Sequence, residues 1–225
     1  VMRLVGSEMC IRDRLYTNFP SKISLVCHSV NEEMLQIPNF KEKSPREQEH
    51  SLGRYCAQQA LEAINFHCNV IQSSSHGFPI WPDGIVGSIS HSKGLCLSAV
   101  AKSTDFQAIG IDVEQFNRIK ERSIERIVHP KEKGQIGNDL TKATLLFSIK
   151  EAFYKAQYPI FKTSLNFKDL AFEYDFTAQK AQLIWLSDKS PIAKLDYSSW
   201  AISFETIKNN CFTLCSKNNK SDNSN

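Results

Sequence analysis

A chain of 225 residues that is 41% hydrophobic and 10% aromatic can bury a sizeable core, as one domain or two small ones, and is too apolar to be disordered. Its net charge of +3 and pI near 8.4 are too mild to announce nucleic-acid binding, yet they suit an anionic ligand or an acidic partner. No run approaches the ~18 apolar residues of a membrane span, and no basic-then-apolar start suggests secretion, so a cytoplasmic protein is expected.

Residues 1–14 look foreign: they resemble translated sequencing-adapter sequence, and are set aside as a non-native leader that displaces the true start. Ile23 to Val30 alternates and is β-rich, which predicts a strand. Ser44-Pro45-Arg46 opens a helix, with Ser44 as N-cap and Pro45 in the first turn. That helix is predicted to run to about Ile64. Leu52, Cys56, Ala60 and Ile64 recur every four residues on its core face, while Arg46, His50 and Arg54 recur every four on another. A Ser, His, Gly and Pro-rich loop follows from Ser73 to Gly84.

Val86 to Ser92, Leu95 to Lys102 and Phe106 to Glu114 then read as three consecutive strands of a meander. A helix around Lys120 to Val128 breaks at His129-Pro130, and a longer one runs from about Asp139 to Gln157, ended by Pro159. Leu170 to Phe176, Ala181 to Leu186, Trp200 to Glu205 and Cys211 to Cys215 read as further strands, and 216–225 as a frayed polar tail. The seven cysteines are odd in number and scattered, which favours reduced core thiols. Cys211 and Cys215, with no second pair and no nearby His, make a poor zinc site.

A long helix followed by antiparallel strands thus appears twice. The predicted fold is α+β, two similar halves related by a pseudo-twofold, spanning 15–114 and 115–215, each a long helix on a small antiparallel sheet. The cleft between the halves is the expected site.

The chemistry is concentrated in two segments. In Ile109-Gly110-Ile111-Asp112-Val113-Glu114, residues two apart share a strand face, so both carboxylates can address one ion while Ile111 and Val113 bury on the other side. In Phe147-Ser148-Ile149-Lys150-Glu151-Ala152-Phe153-Tyr154-Lys155, Glu151 and Lys155 lie one helical turn apart, so an acid and a cation can face the same phosphate oxygens. Asp-x-Glu is common, and a Glu–Lys pair at this spacing is usually a solvated face. What favours a site is that the acids end an apolar run, Phe106 to Val113, where their charge needs compensation.

Four segments carry a family resemblance: Gly53-Arg54-Tyr55-Cys56-Ala57-Gln58-Gln59-Ala60-Leu61; Pro79-Ile80-Trp81-Pro82-Asp83-Gly84-Ile85-Val86-Gly87-Ser88-Ile89-Ser90-His91-Ser92; Gly110 to Glu114; and Phe147 to Lys155. From Arg46 to about Lys155 the chain resembles the 4′-phosphopantetheinyl transferases, of the type that serves enterobactin synthetase as component D in siderophore synthesis. The resemblance implies transfer of the phosphopantetheine arm of coenzyme A to a serine of an acidic apo carrier protein (acyl, peptidyl or aryl). Adenosine 3′,5′-bisphosphate is released, with Mg2+ on the pyrophosphate. A monomer is expected.

By that resemblance Asp112, Glu114 and Glu151 hold the ion, Lys155 neutralises the pyrophosphate oxygens, and Glu151 takes the serine proton, directly or through a metal-bound water. His91, with Ser90 beside it, is expected to hydrogen-bond the coenzyme A phosphates. Arg46 and Arg54 are the natural cations for the 3′-phosphate. His76 stands where relatives tend to carry Arg, which makes its contact weaker and pH-dependent. Trp81 and Pro82 either flank the adenine or anchor the loop. Phe147 departs from the Trp of many relatives, and the C-terminal strands match nothing specific.

Lys120, Arg122, Arg126, Lys131 and Lys133 form the expected carrier-docking surface, unless Glu121, Glu125 and Glu132 balance them as an ordinary surface. Two other readings stay open. A magnesium-dependent nuclease would usually carry an acid-x-Lys on one strand, which Glu114-Gln115-Phe116 lacks; a carrier-binding module that has lost catalysis would have no need of the intact acids and lysine.

Overall fold

The structure, a computed structural model, describes residues 15, 18–30, 37–68, 70–75, 77–116, 118–190, 192–193 and 196–219. The expected leader at 1–14 and the last residues of the expected tail, 220–225, lie outside the described residues.

A capping box starts the first long helix, α1 (Pro45–Ala63): the Ser44 side chain accepts from the Glu47 amide while the Glu47 carboxylate accepts from the Ser44 amide. Its apolar stripe, including Leu52, Cys56, Ala60 and Leu61, is buried against a three-stranded antiparallel sheet in the order β1 (Ser24–Ser29), β5 (Leu95–Lys102), β4 (Ile85–Ser92). A Cβ at Gly53 would sit 2.8 Å from the Ile89 side chain, so this glycine lets α1 approach β4 closely. Between α1 and β4, the loop holds a two-stranded pairing of β2 (Gln72–Ser73) with β3 (Pro79–Ile80).

The third strand of the expected meander does not continue it. β6 (Phe106–Gln115) pairs in antiparallel register with β10 (Asn210–Asn218), Glu114 opposite Cys211 and Asp112 opposite Thr213. It thereby becomes the first strand of a five-stranded sheet, which continues through β9 (Trp200–Ile207), β8 (Lys180–Leu186) and β7 (Leu170–Asp175). A strand buried on both faces has no polar side to mark its neighbour, and β6 is buried nearly throughout. β10 also corrects the expected tail. Ser216 and Lys217 pair with Ile109 and Ala108 on one side and with Ala201 and Trp200 on the other, so the strand runs to Asn218.

After β6 come two short helices, α2 (Glu121–Ile127) and α3 (Lys133–Ile136), and then the long α4 (Leu140–Phe161), capped by the Asp139 side chain accepting from the amides of Thr141 and Lys142. α4 continues past Gln157 to Phe161 with Pro159 inside its last turn. So near the end, proline forfeits a single intrahelical bond, and Lys162 closes the helix in the left-handed region.

α4 buries Leu145, Leu146, Ile149, Ala152, Phe153 and Ala156 against the five-stranded sheet, while Ile109, Ile111 and Val113 face a second core with Leu25, Leu97, Phe212 and Leu214. A buried ion pair fixes α4 further. Lys150 Nζ donates to Glu132 Oε2 at 2.8 Å and to the carbonyls of Ile127, Phe167 and Leu170. Glu132 also accepts from the amides of His129 and Phe172. Glu132 therefore does not balance the basic surface around Lys131 and Lys133. Cys27, Cys56, Cys96, Cys211 and Cys215 are buried thiols outside any disulfide, as expected of core thiols.

Candidate functional site

The site starts from one close approach. A Cβ at Gly110 would lie 1.9 Å from the Ala152 carbonyl oxygen, so α4 rests directly on β6 there. Two residues further along β6 is Asp112, and three further along α4 is Lys155. The Lys155 ammonium meets Asp112 Oδ1 at 2.7 Å, Ser90 Oγ at 2.9 Å and the Ile111 carbonyl at 3.2 Å.

Strand alternation on β4 supplies two hydroxyls to the two acids: Ser90 donates to Asp112 Oδ1 and Ser92 to Glu114 Oε2, each at 2.9 Å. His91, between them, points the other way, where its Nδ1 lies 3.2 Å from Glu49 Oε2 on α1. Arg118 Nε is 3.2 Å from Glu114 Oε2.

Asp112 and Glu114 are 2% and 4% exposed, and this burial decides their electrostatics. Burial, with the neighbouring Asp112 charge, pushes the Glu114 carboxyl up to about 7 against the pull of Arg118, Ser92 and Lys155. Burial also raises Glu151, and Asp112 adds to the rise while Lys155 opposes it. Asp112 Oδ2 is enclosed and has no hydrogen-bond partner among the described residues.

Among the described residues no three His, Cys, Asp or Glu side chains close as a metal-holding group. Asp112 and Glu114 are gathered with the cations Lys155 and Arg118, and Glu151 shares their field. The donor chemistry fits a hard divalent cation: carboxylate oxygens, one of them buried without a partner, and more buried acid than the nearby cations neutralise.

Beside this cluster opens a cavity of about 660 Å³. Glu49, His50 and Arg54 of α1, His91 of β4, Lys155 and Tyr158 of α4, and Lys162 just past its end line it together with the loop residues Phe78 and Trp81. Arg54 Nη2 donates to Ser73 Oγ at 2.7 Å, while its Nη1 is enclosed with no partner among the described residues. Trp81 both lines the cavity and anchors the loop: a Cβ at Gly87 would sit 2.8 Å from its ring. Phe78 stacks on Tyr158, centroids 4.8 Å apart.

The structure therefore gathers Arg54, Trp81, His91 and Lys155 on one cavity and joins Ser90 and Asp112 to it through Lys155, with Glu114 two residues further along β6 and held by Ser92 and Arg118. Arg46 is exposed and is not among the residues that line the cavity. The expected contact from His76 falls outside the described residues. Sequence reasoning assigned no role to Glu49, His50, Tyr158 or Arg118. Spacing offered a signal for two of them, since His50 is one turn before Arg54 and Tyr158 one turn after Lys155.

Two family models match the chain in succession: the 4′-phosphopantetheinyl transferase N-terminal domain over residues 36–101 and the 4′-phosphopantetheinyl transferase superfamily over residues 108–210. Among characterised relatives, the chain is 31% identical to the 4′-phosphopantetheinyl transferase PptT of Mycobacterium tuberculosis over 58% of this chain and 60% of that one. It is 35% identical to the 4′-phosphopantetheinyl transferase Npt of Nocardia iowensis over 52% and 54%. Enterobactin synthase component D of Escherichia coli is 26% identical over 82% of this chain and 85% of its own. The match thus spans little more than half the length of the first two relatives.

Proposed function

Because the chain belongs to the 4′-phosphopantetheinyl transferase superfamily, we propose that it moves the phosphopantetheine arm of coenzyme A onto a serine of an apo carrier protein and releases adenosine 3′,5′-bisphosphate. The observation that carries this reading is the junction of Lys155 with Asp112 and Ser90 at the wall of a cavity into which Arg54 brings an unpaired donor.

In this reading the cavity takes coenzyme A. Arg54 and His91 hold its phosphates, and Lys155 turns from Asp112 toward the pyrophosphate oxygens. Asp112, Glu114 and Glu151 would hold a magnesium ion, whose chemistry is to neutralise charge on the pyrophosphate. The serine hydroxyl attacks the phosphorus next to the pantetheine, its proton passes to Glu151, and the pyrophosphate P–O bond breaks to leave the bisphosphate. A carboxyl raised by burial is a stronger base than one in water, which supports Glu151 in that part.

Lys120, Arg122, Arg126, Lys131 and Lys133 are exposed on the segment that follows β6, among the exposed acids Glu121 and Glu125, while Glu132 is turned inward to Lys150 and does not offset them. That supports this face as the dock for an acidic carrier. A cytoplasmic monomer belongs to the same reading; among the described residues no helix is long and apolar enough to cross a membrane.

The test is incubation with coenzyme A, Mg2+ and a panel of apo acyl, peptidyl and aryl carrier proteins, followed by intact-mass analysis. A gain of one phosphopantetheine that a chelator prevents is expected. Coenzyme A binding without transfer to any carrier would favour a binding module, and no binding would remove the reading.

A further inference from the structure

The end of the cavity nearest α1 is built differently from what the helix's basic stripe suggests. Of Arg46, His50 and Arg54, spaced one turn apart, the cavity lining takes the last two, and Arg46 stays exposed away from it. Glu49, the acid at this end, is engaged by His91 at 3.2 Å. Ser73 Oγ accepts from Arg54 Nη2 at 2.7 Å and lies 3.5 Å from His50 Nε2, so guanidinium and imidazole converge on one hydroxyl. Arg54 Nη1 is left enclosed with no partner among the described residues.

We propose that His50 is a further anion contact of this cavity, beside His91 and Lys155, that it holds with Arg54 a phosphate monoester such as the 3′-phosphate distinguishing coenzyme A, and that it takes up a proton as the anion binds. The inference rests on the coenzyme A reading of the cavity and adds to it a residue and a proton.

The electrostatics of the free protein are consistent with this. His50 is largely exposed, and its partial burial at the cavity wall, reinforced by Arg54, His91 and Lys43, holds the imidazole below its usual range. Among the described residues the other charged groups facing the cavity are Glu49, Lys155 and Lys162. His50 is thus largely neutral near pH 7.5 until a dianion reverses the balance. The sign follows: the bound state carries more protons, so affinity is greatest at low pH and declines as pH rises past the free imidazole's pKa toward that of the complex.

Calorimetric titration with adenosine 3′,5′-bisphosphate at pH 7.5, in two buffers of different ionisation enthalpy, reads the proton directly. The wild type is expected to take up a substantial fraction of a proton. Between pH 7 and 8.5, where a phosphate monoester with a second pKa of about 6 is already dianionic, its affinity is expected to fall several-fold. His50→Gln should lose the uptake and bind roughly 10-fold more weakly, the effect of one lost charge-assisted contact. His50→Lys should keep the affinity and lose the pH dependence, which a merely structural histidine would not do. Uptake that survives His50→Gln, or that vanishes with His91→Gln instead, overturns the assignment while leaving the coenzyme A reading intact. A wild type that does not bind the bisphosphate overturns both.

Discussion

Gly110 and Ala152 are in such close contact that a methyl group on the glycine would overlap the alanine's carbonyl oxygen, at 1.9 Å, and the Ala156 amide nitrogen, at 2.5 Å. The clash is with helix backbone, which cannot rotate away. Gly110→Ala should therefore cost about 1–3 kcal/mol, toward the upper end. It should also lift Lys155 from Asp112 and reduce transfer more than stability. Chemical denaturation and a carrier-modification assay check both; a wild-type midpoint would show that α4 does not rest on β6 as described.

The Lys150–Glu132 pair is buried and lines no part of the cavity. Both partners are fully buried, and Lys150 satisfies three carbonyls besides the carboxylate. Lys150→Ala leaves Glu132 uncompensated and is expected to cost about 3–5 kcal/mol. Adding Glu132→Gln should restore part of the loss, because the buried charge is then gone. Equal destabilisation in the single and double variants would mean that packing, rather than the pair, is what Lys150 supplies.

Glu114 makes stability depend on pH in the direction opposite to an ordinary surface acid. Its folded-state pKa is pushed up to about 7, above the 4.5 of the unfolded chain, so between those values the folded state binds the extra proton. Stability from this residue is full below about pH 4.5, declines as pH rises toward 7 and is flat above, a change of about 3 kcal/mol. With chelator present, Glu114→Gln should flatten the slope between pH 5 and 7 relative to wild type and melt higher at pH 8. An unchanged slope would show that the carboxyl is not raised.

Asp112 is held by Lys155 and Ser90 on one oxygen and by nothing described on the other. Asp112→Asn preserves shape while removing the charge that Lys155 and a cation would share. Transfer should fall by on the order of 100-fold or more, the scale of losing one preorganised charge at a reacting phosphate. The circular dichroism spectrum should not change. Near wild-type turnover would take Asp112 out of the chemistry.

Much of this was legible in the residues, and the rest was hidden for identifiable reasons. Period-two spacing placed Asp112 and Glu114 on one face with Ile111 and Val113 on the other, and the capping pattern at Ser44 marked the start of α1. Periodicity reports which way a side chain faces, not which strand lies alongside, so β6 could not be assigned to β10 from its own sequence. Lys150 carried no signal of its own in the sequence, because its partner Glu132 is distant along the chain and reads there as a surface acid. Ser90 and Ser92 carried a resemblance, but their pairing with the two acids appears once β4 and β6 are side by side.

Arg46 and Arg54 show the same limit and give the sharpest contrast between stripe and cavity. Eight residues apart on α1, they share a face but are separated by about 12 Å along the axis. Periodicity alone cannot say which turn meets a ligand. The cavity meets the turn of Arg54, with its enclosed unpaired Nη1, and Arg46 remains in solvent. Arg54→Ala should raise the KM for coenzyme A roughly 10- to 100-fold, as expected for a charge-assisted phosphate contact. Arg46→Ala should leave it within about twofold, since an exposed cation off the site acts through screened charge alone. Steady-state kinetics at saturating carrier separate the two, and comparable losses from both variants would mean that the ligand extends along the helix beyond the cavity wall.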